Sequence, residues 1–159
     1  MFCRARSNAR YEPIGFCSVL LTDLDGLKLI NDRYGHLAGS HALCRVAAIL
    51  RLNCRSIDTA ARYGGDEFAL VLPETGESAA QQVVERVRNC LETDEEVPRL
   101  SLSIGIATFP ERGTTVQQLL ECADRALYEM KGKSKKDKMQ RRTRPSHSLS
   151  RPDRRDGRS

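Results

Sequence analysis

The sequence lacks any run of apolar residues long enough to cross a bilayer. It also lacks the charged start and apolar centre of a signal peptide. These absences predict a soluble, intracellular protein of the cytoplasm. There is no CxxC pair. The six cysteines (Cys3, Cys17, Cys44, Cys54, Cys90, Cys122) are scattered, so they read as reduced, mostly buried small hydrophobes, not as a disulfide frame or zinc site. No internal repeat is present. The basic C-terminal stretch carries no interleaved aromatics, which argues against a nucleic-acid-binding arm and for a solvated terminus.

What is present fits one domain plus a tail: 159 residues, 40% of them hydrophobic. The net charge of +5 hides an asymmetry. Residues 131–159 hold 12 Lys+Arg against 3 Asp, and residues 1–130 hold 14 against 18 Asp+Glu. The body is therefore mildly acidic. The tail, 136–159, is rich in Ser, Pro and Arg with no apolar period, and is expected to be disordered.

Phe16–Leu21 is a short apolar run of the kind found in buried central strands. It leads into Thr22-Asp23-Leu24-Asp25-Gly26, read as a turn with two acids. Leu37–Leu52 repeats Leu43, Val46, Ala47 and Leu50 at helical spacing. A hairpin follows (Thr59–Tyr63, Glu67–Leu72), then a helix over Glu77–Leu91 with Ala80, Val83, Val84, Val87 and Leu91 on one face. Leu100–Thr108 alternates as a strand. Thr114–Lys131 forms a last helix, with Thr114 and Gln117 as a capping box and Val116, Leu119, Leu120, Ala123, Leu127 and Met130 as its stripe. The order predicts an α+β, ferredoxin-like βαββαβ palm domain with a central antiparallel sheet and an extra C-terminal helix. In that arrangement the first and third strands are neighbours, which carries Asp23 and Asp66 to one sheet edge. Two acids there suit a metal-assisted phosphoryl or nucleotidyl transfer.

The richest stretch is Arg62-Tyr63-Gly64-Gly65-Asp66-Glu67-Phe68. Gly-Gly permits the positive φ angles of a tight turn and leaves no side chain to block a ligand. The carboxylates are hard oxygen ligands suited to Mg²⁺ and bound phosphates. Alone, the stretch reads more readily as a surface hairpin with solvated acids.

Four segments in order change that balance: Asp23 through Gly39, the Arg62–Phe68 hairpin, Leu102-Ser-Ile-Gly-Ile-Ala107, and Ala123 through Lys131. Together they resemble the GGDEF domain of diguanylate cyclases, over residues 14 to about 135. The resemblance implies a domain at 16–135, preceded by a lead-in at 1–15. It implies that two GTP condense to cyclic di-GMP in a transient homodimer, with Mg²⁺ (or Mn²⁺) as cofactor. Metal ligands would be the Asp23 carboxylate, the Leu24 carbonyl, Asp66 and Glu67. Glu67 stands near the attacking hydroxyl as ligand or general base, and Asp66, Glu67 and Lys28 are the catalytic set. Backbone around Gly26 and Leu27, with Gly64 and Gly65 at the hairpin, would border the nucleotide. Lys28 and Lys131 match phosphate-binding lysines, and Lys135 stands where the family usually has arginine. Asn31 matches a guanine-contacting asparagine, while His36 reads as a helix-start residue. Arg55 and Asp58, four residues before Arg62, with Arg86 from a neighbouring surface, resemble the product-inhibition site for cyclic di-GMP.

The chain departs from the family pattern in three places. Ser40 replaces an aspartate that reads guanine. A serine hydroxyl donates or accepts and so tolerates adenine too, as in hybrid cyclases that also use ATP and make cyclic GMP-AMP. Equally, Ser40 fits a weakened guanine site, and a catalytically weak or inactive module that senses GTP or cyclic di-GMP is the alternative. The N-terminal Asp-x-Leu-Thr-Gly-Leu-x-Asn-Arg motif is absent. The closing Gly-Arg-Asn-Arg segment reads Ser134-Lys135-Lys136-Asp137, which predicts loss of the last strand and lower stability.

Overall fold

A computed structural model describes residues 15–143, with side chains through residue 132. The element order is β1 (Cys17–Leu24), α1 (Leu27–Tyr34), α2 (His36–Leu52), β2 (Thr59–Arg62), β3 (Glu67–Pro73), α3 (Glu77–Thr93), β4 (Leu102–Phe109) and α4 (Val116–Thr143). The four strands form one antiparallel sheet in the order β2-β3-β1-β4. This is the expected ferredoxin-like α+β arrangement, with β1 and β3 paired at its centre.

Alternation along β1 divides the core between two faces. Leu20 and Leu24 pack with α2 and α3 through Val46, Leu50, Val83, Val84 and Val87. Val19 and Leu21 pack under α4 against Leu119, Ala123 and Leu127. Each fully buried leucine contributes about 1.5–3 kcal/mol. The α3 face predicted from its spacing is buried throughout.

Several local expectations change. β1 continues through Thr22 and Asp23 to Leu24, so both residues lie in the strand, not in a turn. The segment after it forms a separate helix, α1, whose short amphipathic pattern is hidden by the polar run Asn31-Asp32-Arg33. The α4 cap is shifted by one residue: the Gln118 N–H donates to Thr115 Oγ1, and the Thr114 N–H donates to Gln118 Oε1. α4 also runs to Thr143, so residues 136–143, assigned above to a disordered tail, are helical. The rest of that tail, 144–159, and residues 1–14 lie outside the described residues. The cysteines are less buried than expected: Cys17, Cys54, Cys90 and Cys122 are half-buried, and Cys44 is exposed. No described helix is long and apolar enough to cross a membrane.

Two features seat α4 on the sheet. Gly105 has no side chain, so the Ala123 carbonyl and the Leu127 amide of α4 rest directly on β4. Leu119, Ala123 and Leu127 bury the stripe. Lys131 follows Leu127 by four residues and so reaches the sheet edge on the same helix face.

Candidate active site

The antiparallel register places Asp23 directly opposite Glu67 on one side and Ser103 on the other. The Leu24 N–H donates to the Asp66 carbonyl at 3.0 Å. The end of β1 and the apex of the β2–β3 hairpin are thus tied together, and the expected convergence of Asp23 with Asp66 on one sheet edge is present, with Glu67 beside them. Asp23 is buried at 8% exposure. Its Oδ2 accepts a hydrogen bond from Lys131 Nζ at 2.7 Å. Burial pushes the Asp23 carboxyl above its ordinary value; the Lys131 bond draws it down, and the charges of Asp66 and Asp25 push it up. Burial works against the Lys131 charge, but Asp23, Glu67 and Asp66 together outweigh it and raise the ammonium's pKa.

The hairpin departs from the tight turn in one respect. Gly64 and Gly65 have no positive φ; among described glycines only Gly26 and Gly35 do. At Gly64 a Cβ would lie 2.7 Å from Glu67 Oε2, the movable end of that side chain, and would displace the carboxylate. Glu67 therefore folds its carboxylate over the Gly64 backbone. Its carbonyl accepts from the N–H groups of Tyr63 (2.8 Å) and Gly64 (3.1 Å). Arg62 opens this stretch, but the sequence alone assigns it no role. Its guanidinium donates to the Gly64 and Gly65 carbonyls and closes the loop. A cation beside Gly-Gly was the available signal.

Between β1 and α1, Gly26 adopts φ 77°, a left-handed conformation that favours glycine. No side chain caps α1. Its first helical bond runs from the Ile30 N–H to the Gly26 carbonyl, which leaves the amides of Leu27 and Lys28 at an uncapped helix start. Lys28 is exposed beside them. Asn31 lies against α2: a Cβ on Gly39 would sit 1.9 Å from its Oδ1. Ser40, the next residue, is exposed and lines a cavity of about 420 Å³ with Leu43, Cys44, Ala47 and Phe68. His36 is exposed at the start of α2, as expected.

Arg55 and Asp58 pair with each other. The Arg55 N–H donates to Asp58 Oδ2 at 2.7 Å, and Arg55 Nε stands 3.5 Å from the same oxygen. They line a second cavity of about 490 Å³. Asp58 Oδ1 is buried without a partner among the described residues. Arg86 is exposed on α3 and forms no ion pair among them. The Lys135 side chain lies outside the described residues.

No three described His, Cys, Asp or Glu side chains form a ready metal cage. The donor set fits Mg²⁺ in another way. This ion takes one or two carboxylates and completes its shell with water and phosphate oxygens, and Asp23 already holds a cation, the Lys131 ammonium.

Fold and site together define a ferredoxin-like palm domain with acids, lysines and an uncapped helix start gathered at one sheet edge. The family described as diguanylate cyclase, GGDEF domain, matches residues 5–137. Diguanylate cyclase A of Treponema denticola is 42% identical over 129 residues, 78% of this chain and 35% of that protein. The bifunctional diguanylate cyclase/cyclic di-GMP phosphodiesterase MucR of Pseudomonas aeruginosa is 42% identical over 118 residues, 72% of this chain and 17% of that protein. The crystal structure of the GGDEF domain of YfiN (TpbB) from Pseudomonas aeruginosa matches with a TM-score of 0.70 at 37% identity, over 74% of this chain and 77% of that one. The GGDEF domain of DgcB from Caulobacter crescentus, solved in complex with c-di-GMP, matches with a TM-score of 0.67 at 28% identity, over 74% and 73%. The chain belongs to the diguanylate cyclase GGDEF-domain family. It spans about a third or less of the length of these two curated relatives.

Proposed function

We propose that the domain condenses two GTP molecules into cyclic di-GMP with release of two pyrophosphates. The observation that carries this reading is the gathering of Asp23, Asp66, Glu67 and Lys131 at the mouth of the Leu24–Lys28 turn. Each domain holds one nucleotide, so two copies meet as a transient homodimer. The 3′-oxygen of each GTP bonds to the α-phosphorus of the other, and the bond from that phosphorus to the bridging oxygen breaks, expelling pyrophosphate.

Asp23, the Leu24 carbonyl and Asp66 would hold a divalent cation, Mg²⁺ or Mn²⁺. The cation supplies charge neutralisation on the triphosphate and polarises the α-phosphate. The amides of Leu27 and Lys28 face the β- and γ-phosphates, as main-chain nests do in other phosphate sites. Lys28 adds a point charge, and Lys131 exchanges its Asp23 partner for phosphate oxygens. Glu67 accepts the proton of the attacking hydroxyl or completes the metal shell. Gly65 leaves the hairpin backbone open to the nucleotide. Asn31 reads the base beside Ser40, whose hydroxyl accommodates guanine or adenine; this supports ATP as a second substrate and cyclic GMP-AMP as a second product. Arg55 and Asp58, with Arg86 of a neighbouring domain, bind cyclic di-GMP and inhibit. The buried, unpartnered Asp58 oxygen supports that role, because an unpaired buried acceptor is costly until a donor arrives.

The test is incubation of the full chain with Mg²⁺ and GTP, ATP or both, followed by chromatography. Cyclic di-GMP is expected from GTP, and mixed dinucleotide from the mixture. Asp66→Asn should abolish both. Ser40→Asp should lower the mixed product by about tenfold or more relative to cyclic di-GMP. No dinucleotide from any mixture would overturn the catalytic reading, and an unchanged product ratio would overturn the role of Ser40.

A further inference from the structure

Asp25 belongs to none of the ligand or phosphate positions above, yet it is the most heavily tied residue of the β1–α1 turn. Its N–H donates to the Ser101 carbonyl at 3.0 Å. Its carboxylate accepts from two hydroxyls: Ser101 Oγ on Oδ2 at 2.9 Å and Ser103 Oγ on Oδ1 at 2.7 Å. Ser103 lies in β4 and Ser101 stands directly before that strand, and the two hydroxyls reach Asp25 together. Both carboxylate oxygens are thus held, one by β4 and one by the residue that leads into it.

The capping position of α1 is Gly26, which has no side chain to satisfy the first amides of the helix. Asp25, one residue earlier, does not reach back to them either, because both of its carboxylate oxygens accept from Ser101 and Ser103. The amides of Leu27 and Lys28 are left for an external anion. The neighbouring acid benefits as well. Ser103 stands directly opposite Asp23, but its hydroxyl proton goes to Asp25. Asp23 keeps every oxygen lone pair not engaged by Lys131.

We propose that Asp25 is a positioning residue for the nucleotide site. Clamped by Ser101 and Ser103, it holds the Leu24–Lys28 turn so that the Leu24 carbonyl and the Leu27 and Lys28 amides face a bound triphosphate and its cation. This inference rests on the nucleotide reading above. The turn is then fixed from both sides, to the β2–β3 hairpin by the Leu24–Asp66 bond and to β4 by the Asp25 clamp.

The test measures binding, not turnover, with Mg²⁺ and a fluorescent N-methylanthraniloyl GTP titrated against the full chain and followed beside thermal melting. The double variant S101A/S103A is expected to bind about tenfold more weakly. Ser101→Thr keeps the hydroxyl and is expected to bind like the wild type. Should the double variant fail to fold, Ser101→Ala alone decides: its site is exposed, and a loss of about three- to fivefold is expected. A folded variant that loses melting temperature but keeps wild-type affinity would show a structural tie only and overturn the proposal. Wild-type chain that is folded yet binds no Mg²⁺–nucleotide would overturn the cyclase reading and the clamp with it.

Discussion

Gly105→Ala tests the link between core packing and the site. The added methyl would lie 2.1 Å from the Ala123 carbonyl oxygen, 2.4 Å from the Leu127 nitrogen and 2.9 Å from Leu127 Cβ. Two of these are main-chain atoms of α4 and cannot rotate away, so relief requires the helix to withdraw by about 1 Å to reach ordinary contact. Overpacking typically costs 1–3 kcal/mol. With Leu119, Ala123 and Leu127 all buried along the same seam, the expected cost is at the upper end, about 3 kcal/mol. That corresponds to a urea midpoint lowered by about 1.5 M. The same retreat carries Lys131 with it. Its 2.7 Å bond to Asp23 would stretch by about 1 Å, past the range of a hydrogen bond, so nucleotide affinity should fall with stability. Urea unfolding followed by circular dichroism measures the first effect, and fluorescent-GTP titration the second. Gly65→Ala is the control for stability: a Cβ there meets nothing within 4 Å, and its unfolding free energy should change by no more than about 0.5 kcal/mol. If Gly105→Ala also stays within about 0.5 kcal/mol of wild type, α4 does not rest on the β4 backbone, and the account of how Lys131 reaches the site fails.

Two further outcomes follow from single contacts. Gly39→Ala should displace the Asn31 side chain, whose Oδ1 would be 1.9 Å from the new Cβ; GTP binding is expected to weaken about tenfold while helix α2 gains up to about 1 kcal/mol, and unchanged affinity would remove Asn31 from the base site. Arg45→Ala should cost about 2–3 kcal/mol, because buried Arg45 donates to Asp94 and to the Pro98 and Glu96 carbonyls. The Arg45 bond holds the Asp94 carboxyl below its ordinary value, aided by the Glu96 N–H. A folded-state value depressed below the unfolded one gives stability that is present above about pH 4 and lost as pH falls through the folded value. Urea midpoints of wild type and Arg45→Ala should therefore differ most at pH 6 and converge toward pH 3, and a constant difference would refute the pairing.

Periodic elements were legible because burial acts on many residues at once. Ala80, Val83, Val84, Val87 and Leu91 all point to one face at helical spacing, and all are buried. Helix α1 escaped because only Ile30 of its eight residues is buried, too little for a period to register. Buried Arg45 escaped for a different reason: its partners Asp94 and Glu96 stand about 50 residues away, in a loop whose position follows only from the packed fold. The α4 cap moved by one residue because Thr114 and Thr115 both satisfy the local pattern, and side-chain geometry chose between them.

The site shows the same division more sharply in Asp23 and Asp25. These acids share a residue type, are two positions apart, and meet the same strand, so no local property separates them. What separates them arrives from far along the chain. Asp23 faces Glu67 and receives Lys131, 108 residues on. Asp25 receives Ser101 and Ser103, 76 and 78 residues on. In the proposed function, a carboxylate beside one half-buried ammonium exchanges it for a metal ion and a phosphate. A carboxylate held on both oxygens by hydroxyls of β4 and of the residue before it has no lone pair as readily freed, and serves by staying still. The chemical division of labour within Asp23-Leu24-Asp25 is thus decided by β4 and α4, and changing Ser103 should alter the work of both acids although neither is touched.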